Sequence, residues 1–460
     1  MRRTVVLNVV GLTRALLPSM PRLAAFAREG HAATIRPAFP AVTCTAQSAY
    51  LTGLAPTEHG IVGNGWYDRE LAEIHFWKQS NHLVRGPKIW DKLRACDAAF
   101  TCAQLFWWYN MHAAVDWSIT PRPLYPADGR KIFDVHTGPL ALRPEIKRDL
   151  GEFPFPSFWG TAAGIESSRW IAAAARWIEE KHQPTLNLVY LPHLDYNLQR
   201  LGPNDPKIQD DLRLIDEVAG GLIDFFRARG VQVVVLSEYG ITEVDTPVHL
   251  NRVLRRHGWL STKDELGLET LDCGGSRAFA VADHQVAHIY INDPALEPAV
   301  RAALEAEPGV ERVLDAAAQK ELGLRHPRAG DLIAIAKPRA WFTYYYWLDD
   351  ALAPDFARTI DIHRKAGYDP AELFLDPKIR APKLRIAAFL LRKKLGLRGL
   401  LSVIPLDATL VRGSHGRIPE DENDWPVLLL EKGSAAVDPG PVLTPAHVHQ
   451  ALLRHVDSSL

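Results

Sequence analysis

Thr4-Val5-Val6-Leu7-Asn8-Val9-Val10-Gly11 is a β-branched, nearly unbroken apolar run that ends on glycine. It is too short to span a bilayer and too continuous for a half-solvated strand, so it predicts a strand buried on both faces. Met1-Arg2-Arg3 precedes it, yet the run contains Asn8 and no small-residue cleavage site appears before Pro18. It therefore reads as a first core strand, not a signal peptide. Similar runs recur at 98–106, 185–191 and 231–236, with helical patterns between them at 22–29, after Pro87, at 167–181 and at 210–229. Buried strands separated by helices predict an α/β fold, a doubly wound and mostly parallel sheet covered on both faces.

From about residue 245 the pattern changes. Helices at 247–257 and 294–305, with strands at 278–282, 288–291 and 310–314, predict a small α+β cap inserted over residues 246–330. The segments 331–336 and 341–347 are expected to return to the main sheet, leaving 1–245 and 331–460 as the core. Residues 121–159, rich in Pro and Gly, are too long for a simple connection and predict an ordered excursion that covers something.

The chain has 460 residues, 47% hydrophobic content and a formal net charge of −1. That balance gives no general attraction to nucleic acid. Cys44, Cys96, Cys102 and Cys273 form no dense framework and suggest reduced thiols and a cytoplasmic setting, with a Cys96–Cys102 bridge left open. Residues 383–401 form a basic amphipathic segment. A solvated helix face is the commoner outcome of such a pattern, and membrane-surface contact the rarer one. The aromatic stretches 106–109 and 341–347, with Trp66 and Tyr67, read first as packing and second as a wall for an apolar leaving group. Nothing in the sequence indicates an oligomeric state.

In doubly wound sheets, ligands bind beyond the carboxyl ends of the strands. Those ends carry His193 and Asp195 after 185–191, and Ser237-Glu238-Tyr239 after 231–236. Nearby in sequence, Pro40-Ala41-Val42-Thr43 brings the chain to a hydroxyl residue, from which a short helix of small residues runs until Gly53. A helix N-terminus favours an anion, so Thr43 is a candidate nucleophile toward a phosphate. The plainer alternative is that Thr43 or Thr45 caps the helix.

These residues belong to a longer pattern: Met20-Pro21-x-Leu23, Glu29-Gly30, Phe39-Pro40-x-x-Thr43, Leu51-Thr52-Gly53 and His59-Gly60-Ile61-x-Gly63-Asn64, continued by Asp195, Gly202-Pro203, Ser237-x-x-Gly240 and His415-Gly416. It resembles the type I phosphodiesterase/nucleotide pyrophosphatase family of the alkaline phosphatase superfamily. The resemblance implies an alkaline phosphatase-like core, two divalent metals (usually zinc) and a transiently phosphorylated Thr or Ser. Thr43 matches the nucleophile, Asp195 the Asp of an Asp-x-x-x-His pair, and His415 the last His ligand. Gln47, Asn64 and Tyr239 are the substrate-binding candidates.

The departures fall on ligands. Val10 stands where the family has its first Asp, Gln199 where it has a His, and Glu238-Tyr239 where it has Asp-His; Ala46 replaces a phosphate-contacting Asn. A dizinc centre is therefore not expected, since zinc takes three or four N, S or carboxylate ligands. A single cation held by Asp195, Glu238, His415 and one of His193, Asp361, His363 or His284 is the alternative, and its oxygen-rich set suits Mn²⁺ or Mg²⁺ better than Zn²⁺. No metal at all is the third. The functional expectation is metal-assisted hydrolysis of a small phosphate mono- or diester through Thr43. The competing expectation is a degenerate relative that binds a phosphorylated or aromatic small molecule without cleaving it.

Overall fold

A computed structural model describes residues 1–128, 130–432 and 442–459. Its main sheet has nine strands, in the order Val442–Leu443, His31–Ile35, Val427–Leu430, Gln232–Leu236, Thr4–Val9, Leu186–Leu191, Cys102–Leu105, Trp117–Pro121 and Val135–Gly138. The run that opened the sequence lies in the middle, every residue buried. It pairs in parallel with Leu186–Leu191 on one side and Gln232–Leu236 on the other. Cys102–Leu105 and Trp117–Pro121 extend the parallel part, while Val427–Leu430 and Val135–Gly138 run antiparallel beside it. The helices Ile165–His182 and Ile208–Arg227 pack on the sheet through Trp170, Ile171, Trp177, Leu212, Ile215 and Phe226. The long excursion supplies the edge strand Val135–Gly138 and the helix Leu142–Leu150.

Register brings the functional ends together. Asn8 stands opposite Tyr190 and Leu236, and Val9 opposite Leu191. One or two residues past those pairs, the chain delivers Val10, His193 and Glu238 to the same edge of the sheet.

A second, antiparallel sheet orders Ala278–Asp283, Val286–Ile291, Leu332–Ala336 and Val310–Leu314. Two expectations need correction here. The strand at 331–336 does not rejoin the main sheet; Leu332–Ala336 lies between two cap strands because its both-face apolar pattern is satisfied equally well there. Among the described residues, Ala340–Phe342 pairs with Thr246–Val248 alone. The aromatic stretch Tyr344, Tyr345, Tyr346 and Trp347 is fully buried in the cap's own core, so packing is what it does. All four cysteines are free thiols.

Candidate active site

Thr43 opens a ten-residue helix, Thr43–Thr52, that is buried along its whole length. Small residues allow this, since they let the helix backbone sit close to its neighbours. Gly53 ends it in the left-handed region at φ 75°, with the His449 ring where a Cβ would stand. Neither threonine caps the helix. Val42 is the N-cap residue and makes no side-chain cap bond. Thr45 Oγ1 donates to the Ile61 carbonyl at 3.3 Å, and Thr43 Oγ1 lies 3.0 Å from the Tyr239 hydroxyl.

From Tyr239 the hydrogen bonds continue. Its hydroxyl donates to Asp195 Oδ1 at 3.2 Å; Gln199 Nε2 donates to Asp195 Oδ2 at 2.7 Å; and the Tyr368 hydroxyl donates to Gln199 Oε1 at 2.9 Å. Asp195 and Gln199 share one face of the helix His193–Leu201 because they are four residues apart. The ring closes through stacked side chains. Tyr239 lies on His415 with centroids 3.7 Å apart, His415 on His284 at 3.7 Å, and His284 on Tyr368 at 3.6 Å. His284 reaches in from the tip of the cap hairpin, in the left-handed region at φ 62°. Asp283 beside it accepts from the Asn64 backbone N–H and side-chain amide, and Asn64 Oδ1 accepts from the Cys44 N–H in the Thr43 helix. The cap and the Thr43 helix are thereby tied together.

Glu238 forms a separate branch. Its Oε1 accepts from both Asn8 and Gln47, each at 2.5 Å, while Gln47 Oε1 accepts from the Trp108 N–H. Burial pushes the Glu238 carboxyl up to about 8, partly offset by Gln47, Asn8 and the hydroxyl of Thr43. Burial likewise pushes Asp195 up to about 7, against the lowering effect of Tyr239 and Gln199. His415 and His284 are held well below their ordinary range by burial, hence neutral. The His415 Nδ1–H donates to the Ala41 carbonyl at 2.7 Å, which leaves its Nε2 lone pair facing Asp195 Oδ1 at 3.8 Å.

This donor set does not fit the family's two-cation centre. Among the described residues no three His, Cys, Asp or Glu side chains are grouped to hold a metal. Val10 offers only methyl groups, Tyr239 occupies one lone pair of Asp195, and Gln199 presents N–H groups where a cation needs an acceptor. The weaker candidates do not complete a set. His193 Nε2 lies 3.0 Å from Asp211, toward the helix behind it. Asp361 and His363 sit in a separate loop, Asp361 N–H bonding Glu372 and His363 beside Lys131 and the Phe76 backbone. His284 does reach the site, but as a stacked ring with Nδ1 on Asp283 at 2.8 Å. Gln47 and Asn64, expected to meet substrate, spend their amides on Glu238, Trp108, Cys44 and Asp283.

Sequence reasoning missed Asn8 and Tyr368. Asn8 carried a usable signal, since a polar side chain inside a run buried on both faces must find a partner at the strand's end. Tyr368 carried none.

The family described as Type I phosphodiesterase / nucleotide pyrophosphatase matches residues 4–369. An uncharacterized pyrophosphatase/phosphodiesterase of Schizosaccharomyces pombe is 26% identical over 267 residues, 54% of this chain and 47% of that protein, so the chain spans about half the length of that curated relative. Among solved structures, murine ectonucleotide pyrophosphatase/phosphodiesterase 5, an inactive Thr-to-Ala form in complex with AMP, is similar at 13% identity and TM-score 0.59 over 99% of this chain and 95% of that one. Phosphonoacetate hydrolase from Sinorhizobium meliloti 1021 is similar at 13% identity and TM-score 0.61, over 100% and 96%. The alkaline phosphatase-like fold is common to these two solved structures and this chain.

Proposed function

Since the chain belongs to the type I phosphodiesterase/nucleotide pyrophosphatase family, we propose that it hydrolyses an ester or anhydride of a small phosphorylated molecule, with Thr43 as nucleophile. The observation that carries the proposal is the chain Thr43–Tyr239–Asp195 at a helix N-terminus. An ionised carboxylate only accepts, so the single Tyr239 proton goes to Asp195 and the tyrosine oxygen is free to accept from Thr43. When Thr43 Oγ1 attacks phosphorus, its proton passes to Tyr239 as the Tyr239 proton passes to Asp195, and the leaving group departs from phosphorus. Glu238, neutral below about pH 8 and with Oε1 already accepting twice, carries its proton on Oε2. It can donate that proton to a phosphoryl oxygen or to the leaving group. Water then cleaves the phosphothreonine. The finding that the murine relative is inactive with a threonine replaced by alanine fits a threonine nucleophile.

A second reading rests on charge. Among the described residues no Lys or Arg bonds to Thr43, Tyr239, Asp195 or Glu238, so a phosphate there would have neutral donors alone. This favours a relative that holds a phosphorylated ligand without cleaving it. Turnover of p-nitrophenyl phosphate and bis-p-nitrophenyl phosphate, with EDTA or with added Zn²⁺ or Mn²⁺, separates the two. Turnover lost in Thr43→Ala supports hydrolysis. No turnover under any condition, with AMP binding by calorimetry, supports the binding reading.

A further inference from the structure

The helix Pro382–Lys394 stands on the surface with no buried residue. One side holds it to the protein: Ile386 packs on the small cluster of Ala371, Val403 and Ile404, and Phe389 on the same side is half-buried. At 100° per residue, Leu384, Ala387, Ala388, Leu391 and Leu395 share the opposite side. All five are exposed, Leu384 at 72%, Leu391 at 60% and Leu395 at 69%. The same geometry sets Lys383 and Lys394 along one border of this stripe and Arg385 and Arg392 along the other. Leu397 and Leu400 continue the exposed apolar surface beyond the helix.

From Pro377 to Leu406 the chain has eight Lys and Arg and no Asp or Glu, within a protein of net charge −1. Beside this segment, Tyr125 and Phe133 are exposed at 59% and 44%, in an excursion whose Asp128 feels the charge of Arg398. A solvated face explains the cations but not a row of exposed leucines between them.

We propose that this face docks on a membrane surface rich in anionic lipid. The leucine stripe enters the boundary between headgroups and acyl chains, and the bordering cations meet the phosphates. A second copy of the chain is the poorer occupant, because a two-fold contact would set the same eight cations against themselves. Among the described residues no helix is long and apolar enough to cross a membrane; the contact proposed is made by this face. It does not depend on the hydrolase reading.

The test is co-sedimentation of the intact protein with vesicles of phosphatidylcholine alone or enriched in phosphatidylglycerol. The expected result is binding to the anionic vesicles only, weakened by salt and lost in Leu391→Glu/Leu395→Glu. Arg392→Ala/Lys394→Ala should weaken it by roughly fivefold per cation removed. Thermal unfolding unchanged in both variants separates lost docking from lost folding, since every substituted side chain is exposed. Failure of the native protein to bind anionic vesicles, or equal binding by the double leucine variant, overturns the proposal. So does a dimer in sedimentation velocity that Leu391→Glu/Leu395→Glu turns into a monomer, because a second copy would then be covering the stripe.

Discussion

Tyr239 lies flat against His415, ring centroids 3.7 Å apart and planes within 8° of parallel. Both rings are uncharged, since burial depresses the His415 pKa well below its usual range and raises that of Tyr239 well above its own. The tyrosine ring thus fills the ground beside His415 and Asp195 that a metal centre would require. Its hydroxyl links Thr43 to Asp195.

Thr43→Ala should lose turnover entirely while folding with a penalty of about 1 kcal/mol, the net worth of one hydrogen bond. Thr43→Ser should retain measurable turnover. Steady-state rates on a p-nitrophenyl ester, read beside a urea titration, check both.

Tyr239→Phe keeps the stack on His415 and removes only the hydroxyl. The relay predicts a fall in kcat of roughly 10²–10⁴-fold, the usual span for a lost general acid–base group, with KM nearly unchanged. A kcat equal to the native value would remove Tyr239 from the reaction.

Chelation should leave the melting temperature where it is, and added Zn²⁺ should not raise it, because Val10, Tyr239 and Gln199 withhold the lone pairs that a stabilising cation would bind. Scanning calorimetry before and after EDTA dialysis is the measurement. A clear rise with Zn²⁺ would mean that Asp195 and His415 recruit further ligands.

Asp195 and Glu238 have folded pKa values of about 7 and about 8, above their ordinary 3.8 and 4.5. The folded state therefore binds these protons more tightly than the unfolded chain. The stability they contribute is complete below the ordinary carboxylate range and is lost as pH rises through 7 and 8. Urea midpoints should fall between about pH 5 and about pH 9, and Glu238→Gln should flatten part of that slope.

Lys365 is buried between Asp369 at 2.6 Å and Glu372 at 2.8 Å, all three side chains at most 2% exposed. The triad anchors the turn that carries Tyr368. Lys365→Met leaves two buried carboxylates without their cation and should cost about 3–5 kcal/mol. A thermal melt reads the loss directly. The double variant Asp369→Asn/Glu372→Gln on that background should recover part of it.

Much of this was legible in the chain. The run from Thr4 to Val9, the later buried strands and the helices between them carry their periods openly, so a mostly parallel sheet with its site at the carboxyl ends followed from burial pattern alone. Thr43, Asp195, Glu238 and His415 were legible as a group through the family pattern, and the loss of ligands at Val10, Gln199 and Tyr239 through its departures. Sequence could not say which sheet Leu332–Ala336 would join, because a strand buried on both faces fits either. Nor could it say what replaces the ligands. That depends on a cap hairpin more than 200 residues from Thr43 delivering His284, and on Tyr368 reaching Gln199 across 169 positions. The basic segment at 383–401 was ambiguous for the same reason. Whether its leucines are covered is a property of what packs on them, and only the folded chain shows Ile386 turned inward and Leu384, Leu391 and Leu395 left outside.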